Sequence, residues 1–382
     1  VTSYYTQDGN HSAVTGGIGT EKLTDFANML ELKLVGYGET GLKHTFLAGM
    51  GIDHHTAASQ KWISATGASS PEGTRVYPSL NWTVQNEEKG NEFGMGTYIS
   101  NEYNYKSFAL DAHVGFKNKS GGEFGFKTSA YFDKVYLIYP SELAATATAE
   151  VIPAETIKTS ASKGSTGGGT YTGGGLVSEK HDDLPSIPRN TYTGSFTFTQ
   201  VINKSAQAAI LFDLVKQDGW LGLPFHRVYF KDGTAKVENL PHSRFKIPIG
   251  FRFNYFLGDN LIVRSFYRFY TDDWGLNSHS ISLELPYKIT PFFSISPFYR
   301  YYTQTATKYF APYKQHAITD TYFTSNYSAA AFNSSFFGTG IRVSPPNGIG
   351  HTFLSTMELR YGHYTQTTDL NSNIISMHFT WK

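Results

Sequence analysis

Hydrophobic and polar positions alternate along nearly the whole chain, and no long apolar run interrupts the pattern. Phe108, Leu110, Ala112, Val114 and Phe116 interleave with Ser107, Ala109, Asp111, His113 and Gly115, and Ile375, Met377, Phe379 and Trp381 repeat the rhythm. A period of two marks a β-strand with one face in an apolar medium and the other toward something polar. A dozen or more such segments in succession, separated by turn residues, predict a transmembrane β-barrel.

Alternation and turn signals place fifteen strands, at residues 29–38, 44–54, 75–86, 92–100, 106–118, 123–135, 190–203, 206–217, 245–257, 261–271, 279–288, 292–303, 330–343, 352–363 and 373–382. The connections at 39–41, 118–122, 257–260 and 345–348 are short, and those between them are mostly longer. Short turns face the periplasm and long loops the exterior in this class. The strand at 29–38 would then run inward, so another must precede it, and residues 1–6 are its expected remnant. The fold expected is one all-β, antiparallel transmembrane barrel of about sixteen strands over residues 1–382, both termini periplasmic; bacterial barrels of one chain have an even strand number.

Three connections stand out. Residues 139–189 hold Ala-Thr repeats and a Gly/Ser/Thr run at 164–175, a composition that buries too little apolar surface to fold alone, and a flexible extracellular insertion is expected there. Residues 55–74 and 304–329 are richer in aromatics and proline, as an ordered cap over the barrel mouth would be.

Composition supports the membrane reading. Only 40% of residues are hydrophobic while 16% are aromatic, with 26 Tyr and 29 Phe, an excess suited to two interfacial girdles of amphipathic rings. Mean hydropathy is −0.32, and no apolar stretch is long enough for a helical span, so strands must cross the bilayer. No signal peptide is visible at Val1, which fits a processed or truncated chain. The chain has no Cys and hence no disulfide framework, and a net charge of +1 gives no electrostatic pointer to nucleic acid.

Once hydrophobicity fixes the lipid-facing parity, the other parity names the lumen. In the C-terminal half the odd positions are apolar, as in Phe245, Ile247, Ile249, Phe251 and Phe253, while even positions carry Arg252, Arg264, Arg268, Glu284, Arg300, Arg342, Glu358 and Arg360. Asp111 and His113, with Glu31, Asp133 and Asp213, share the polar parity of the N-terminal half. Arginine on the lipid face costs about 2 to 4 kcal/mol at the midplane, so consistent parity is expected of any barrel. The excess of arginine is not. It admits two readings: a passage that concentrates anions, or a packed interior in which carboxylates from the N-terminal strands complete ion pairs.

Other motifs carry less. In Asp53-His54-His55 neighbouring histidines point to opposite faces, a poor chelate, and solvated loop histidines are the simpler reading. Asp272-Asp273 lacks the spaced oxygens of a calcium loop. Gly16-Gly17-Ile18-Gly19 has neither the preceding strand nor the following helix of a dinucleotide fold. No catalytic, metal or cofactor constellation follows from local spacing, and a non-enzymatic role is expected.

Residues 8–23 (DGNHSAVTGGIGTEKL), 267–274 (YRFYTDDW) and 297–304 (PFYRYYTQ) together resemble an uncharacterised family of outer-membrane barrels from Bacteroidota, classed as a domain of unknown function. The likeness covers nearly all of the chain outside 139–189. Members are often encoded beside flavin transferases, thioredoxin-like proteins and small lipoproteins. The resemblance implies outer-membrane residence, and a barrel acting as membrane-embedded subunit or scaffold of a surface or periplasmic, redox or lipoprotein assembly. It also implies Arg268 and Arg300 inside the barrel. The expected contacts are the lipid bilayer and lipopolysaccharide, with lipoprotein or redox partners. The alternative is a passive, porin-like channel for small anionic solutes through an Arg-lined lumen.

Overall fold

The computed structural model describes residues 1–39, 41–57, 72–102, 104–140, 142–143 and 185–382. Most of the 139–189 insertion and of the 55–74 loop therefore lies outside the described residues. The strands are β1 (Thr2–Asp8), β2 (Leu23–Tyr37), β3 (Lys43–Ala57), β4 (Glu72–Asn86), β5 (Asn91–Glu102), β6 (Tyr105–Lys117), β7 (Gly122–Tyr136), β8 (Ser186–Val201), β9 (Ala206–Gly219), β10 (Arg227–Tyr229), β11 (Ala235–Val237), β12 (Ser243–Leu257), β13 (Leu261–Asp272), β14 (Asn277–Glu284), β15 (Tyr287–Thr290), β16 (Phe293–Gln304), β17 (Phe332–Val343), β18 (Leu354–Gln366) and β19 (Asn371–Trp381).

All but β10 and β11 form one antiparallel sheet, and it closes because β1 pairs with β19 on one side and β2 on the other. Segments β14 and β15 are one stave: both lie between β13 and β16, and the ladder breaks at Leu285-Pro286, where proline offers no N–H. Sixteen staves result, the fifteen placed by alternation and the one expected before them, which is β1. Closure leaves no unpaired edge, the condition for backbone in lipid. Several strands start earlier than alternation suggests: β2 begins at Leu23 and β8 at Ser186, because their polar first turns lie beyond the apolar band and carry no lipid-facing signal.

The outer surface is apolar. Leu30, Leu32 and Leu34 on β2 are 69%, 57% and 57% exposed, values that a water-facing leucine row could not sustain without aggregation. Exposed Tyr37, Phe116, Phe256, Phe292 and Trp381 sit at or near the strand ends on the short-turn side. Those turns are tight. In the one at 118–121, Asn118 Oδ1 accepts hydrogen bonds from the N–H groups of Ser120 and Gly122, and Gly121 takes the left-handed conformation at φ +79°. At the opposite end the connections 9–22, 220–242 and 305–331 are long. None of the described helices is long and apolar enough to cross a membrane.

Most of the fully buried side chains, among them Arg227, Phe230 and Thr324, lie in these connections rather than inside the barrel. Val228 and Phe230 are fully buried and pack on Phe323, the Phe230 and Phe323 rings meeting edge to face with centroids 4.9 Å apart. The hydrophobic core is thus a cap built from loops.

Candidate lumen site and capped mouth

Antiparallel register sets the inward wall. Across β12, β13 and β14, Asn254 faces Arg264 and Arg264 faces Glu284; Glu284 then opens a row that continues through Phe298, Gly338 and Gly362 on β16, β17 and β18. One residue pair further along, Ser282, Arg300, Phe336 and Tyr364 form the next inward row. These rows enclose a cavity of about 470 Å³ whose lining includes Arg252, Arg264, Glu284, Arg300 and Arg360. Arg268 shares the parity of Arg264 on β13, and Arg342 and Glu358 face each other on β17 and β18. Asp111 and His113 lie on β6 over the inward faces of Gly96 and Gly94.

The arginines divide into two kinds. Glu284 receives Arg264 at 3.3 Å and Arg360 at 2.8 Å, and Arg360 also reaches Glu358 at 2.9 Å. In the other half Lys127 pairs with Asp111 at 3.0 Å, Arg189 with Asp133 at 3.4 Å and Arg75 with Asp53 at 3.1 Å. Among the described residues no carboxylate pairs with Arg252, Arg268, Arg300 or Arg342. Most pairs join neighbouring staves, Arg360 alone of these reaching past β17 and β16 to Glu284, and among the described residues the N-terminal carboxylates do not neutralise the C-terminal wall. Arg252 and Arg300 instead stand over phenyl rings, 5.7 Å from the centroid of Phe266 and 5.2 Å from that of Phe336.

Glycines make room for this. The Cβ of an alanine at Gly338 would lie 2.0 Å from the carbonyl oxygen of Tyr361 and 2.7 Å from Phe298. Gly338→Ala should cost about 1 to 3 kcal/mol, the usual penalty of overpacking, read as a lower urea midpoint for unfolding in liposomes. An unchanged midpoint would mean that the neighbouring backbone yields freely.

Above the lumen the long connections lock together. The guanidinium of Arg227, fully buried, donates to Glu142 at 2.7 Å and to the carbonyls of Val14 at 2.9 Å and Phe225 at 3.3 Å, tying three segments at one point. The Glu238 carboxylate accepts from the Leu223 N–H at 2.9 Å and the Thr324 hydroxyl, and lies 3.4 Å from His226 Nδ1. Burial pushes that carboxyl up, but His226, the Thr324 hydroxyl and the Leu223 N–H together hold it below its ordinary range. His11 stacks on Tyr327 at 3.7 Å, and Gly17, at φ +86°, abuts Ser325, with no space for a Cβ. The expected cap segment 304–329 is thus ordered; segment 220–242 is an equal partner that alternation missed, though its Trp220, Phe225, Val228 and Phe230 signal a small core. His54 bonds Thr74 at 2.9 Å, while His55 pairs in register with Asp25, so the two histidines do not converge.

A model of a family of proteins of unknown function, DUF3570, matches residues 51–376. The chain belongs to that family. Two of the three familiar stretches, 267–274 and 297–304, fall within the match, and 8–23 lies before it. No curated protein matches the DUF3570 chain. Among solved structures it is similar to a bacterial polysaccharide outer membrane secretin (7% identity, 100% of this chain and 98% of that one, TM-score 0.44). It is also similar to OpdQ of Pseudomonas aeruginosa (10%, 100% and 97%, 0.35) and to OpdK of the same organism (7%, 98% and 96%, 0.40).

Proposed function

We propose that this DUF3570 barrel is a passive outer-membrane channel for small anions, its mouth regulated by the loop cap. The observation that carries this reading is the set of inward-parity arginines Arg252, Arg268, Arg300 and Arg342 without carboxylate partners among the described residues. A packed structural interior would neutralise such charges, since an unpaired buried charge costs several kcal/mol. A wet passage leaves them solvated and uses them to concentrate anions. Planar-bilayer recording under a KCl gradient tests it: chloride-selective steps support the channel, and cation-selective steps would refute it.

The interlocked loops support a second reading, in which the barrel is a scaffold and the fused loops 9–22, 220–242 and 305–331 present a rigid exterior face to a lipoprotein or redox partner. Electrical silence together with a stoichiometric partner in native-membrane pull-downs would favour the scaffold over the channel.

A further inference from the structure

The cavity wall carries more than charge. Phe266, Phe298 and Phe336 point inward, at positions that a simple aqueous pore would give to polar residues, and each ring has a guanidinium above it: Arg252, Arg360 and Arg300, at 5.7, 5.1 and 5.2 Å. Phe298 and Phe336 also contact each other, centroids 5.1 Å apart. Glycines beneath them leave the rings lying along the sheet. A Cβ at Gly362 would stand 2.5 Å from Phe336 and 3.3 Å from Phe298, and one at Gly250 3.0 Å from Phe266. The wall thus alternates flat apolar surface with cationic groups. Its volume of about 470 Å³ falls within the roughly 300 to 1,000 Å³ of small-molecule pockets.

We propose that this cavity is a binding site for small aromatic monocarboxylates, a reading that rests on the lumen being an anion path and narrows its solute class. Chloride or phosphate gains nothing from three phenyl rings, and a neutral hydrocarbon gains nothing from arginine. A planar ring bearing one carboxylate uses both, packing against Phe298 and Phe336 beside their guanidiniums while its carboxylate meets Arg252 or Arg300, whose guanidiniums no carboxylate among the described residues occupies. Glu284, on the same wall and already holding Arg264 and Arg360, repels a second negative charge and sets the preference for monoanions.

Isothermal titration calorimetry on the detergent-solubilised full chain tests this with benzoate, acetate and benzyl alcohol as probes. Benzoate should bind at least about tenfold more tightly than either other probe, a margin of about 1.4 kcal/mol. The Arg252→Gln/Arg300→Gln variant should lose the margin over benzyl alcohol while keeping heat-modifiable migration in gels. Phe298→Leu, which retains apolar volume, should weaken benzoate and leave acetate unchanged. Equal affinities for benzoate and acetate, or no binding of benzoate by the folded protein, would overturn the site. Channels that conduct chloride but do not distinguish benzoate from acetate remove the aromatic specificity and leave the anion channel. Benzoate binding by a protein that conducts nothing keeps the site and removes the channel.

Discussion

Replacing Glu238 with alanine is expected to undock the cap while the sixteen staves stay folded. The carboxylate holds the Leu223 N–H, the Thr324 hydroxyl and His226 in a fully buried setting between segments 220–242 and 305–331. Removing one member of such a buried charged network costs about 3 to 5 kcal/mol, and loops open locally at free energies drawn from the low end of a protein's range. Three readouts should move together: faster amide exchange at Asn239 and Phe323, which bond each other across the two segments, tryptic cleavage after Lys231 or Lys236, and larger single-channel conductance. Heat-modifiable migration should not change. Cleavage no faster than in the parent protein would show that Arg227 and the Phe230 core hold the cap without Glu238.

The same carboxylate sets an acid limit. Held below its ordinary range, it contributes stability that is fully present above its unfolded value of about 4.3 and is lost as pH falls through the lower folded value. Titration of Glu238 therefore leaves the two cap segments docked between pH 5 and 8 on the ordinary scale of carboxylate ionisation. Glu238→Gln should reproduce at neutral pH the loosening that the parent protein shows only in strong acid.

The barrel was legible in the sequence because each lipid-facing position must be apolar, and a single error of parity on β12 or β18 would place Arg252 or Arg360 in hydrocarbon. Parity also grouped the arginines. Their partners were not legible, since which carboxylate meets which guanidinium depends on register and curvature: Arg360 on β18 reaches Glu284 on β14 across β16 and β17, where Gly338 leaves the wall low. Arg268, mid-strand on β13, has no ion-pair partner among the described residues. The cap was half legible for a related reason. Residues 305–331 declare themselves by aromatic and proline content, but Arg227 is buried only because Val14 and Glu142, 213 and 85 residues away, close over it. No local pattern encodes contacts of that range.

The quadruple variant Arg252→Gln, Arg268→Gln, Arg300→Gln and Arg342→Gln is expected to abolish anion preference without unfolding the barrel. A guanidinium about 8 Å from a permeating anion contributes about 2 kcal/mol at an effective dielectric near 20, roughly a thirtyfold enrichment before screening. Screening sets the condition for measuring it: the Debye length is about 30 Å at 0.01 M salt and about 3 Å at 1 M. Anion selectivity of the parent channel should therefore be strongest in dilute KCl and fade toward molar salt. The variant should show little selectivity at either extreme. Stability should hold, because these four side chains leave no carboxylate orphaned when they go. Glu284→Gln provides the contrast. It strips the shared partner from Arg264 and Arg360, and should raise anion selectivity while lowering the urea midpoint, whereas the arginine variant loses selectivity and keeps its midpoint. If the quadruple variant unfolds instead and Glu284→Gln does not, the unpaired arginines are structural and the channel reading falls with them.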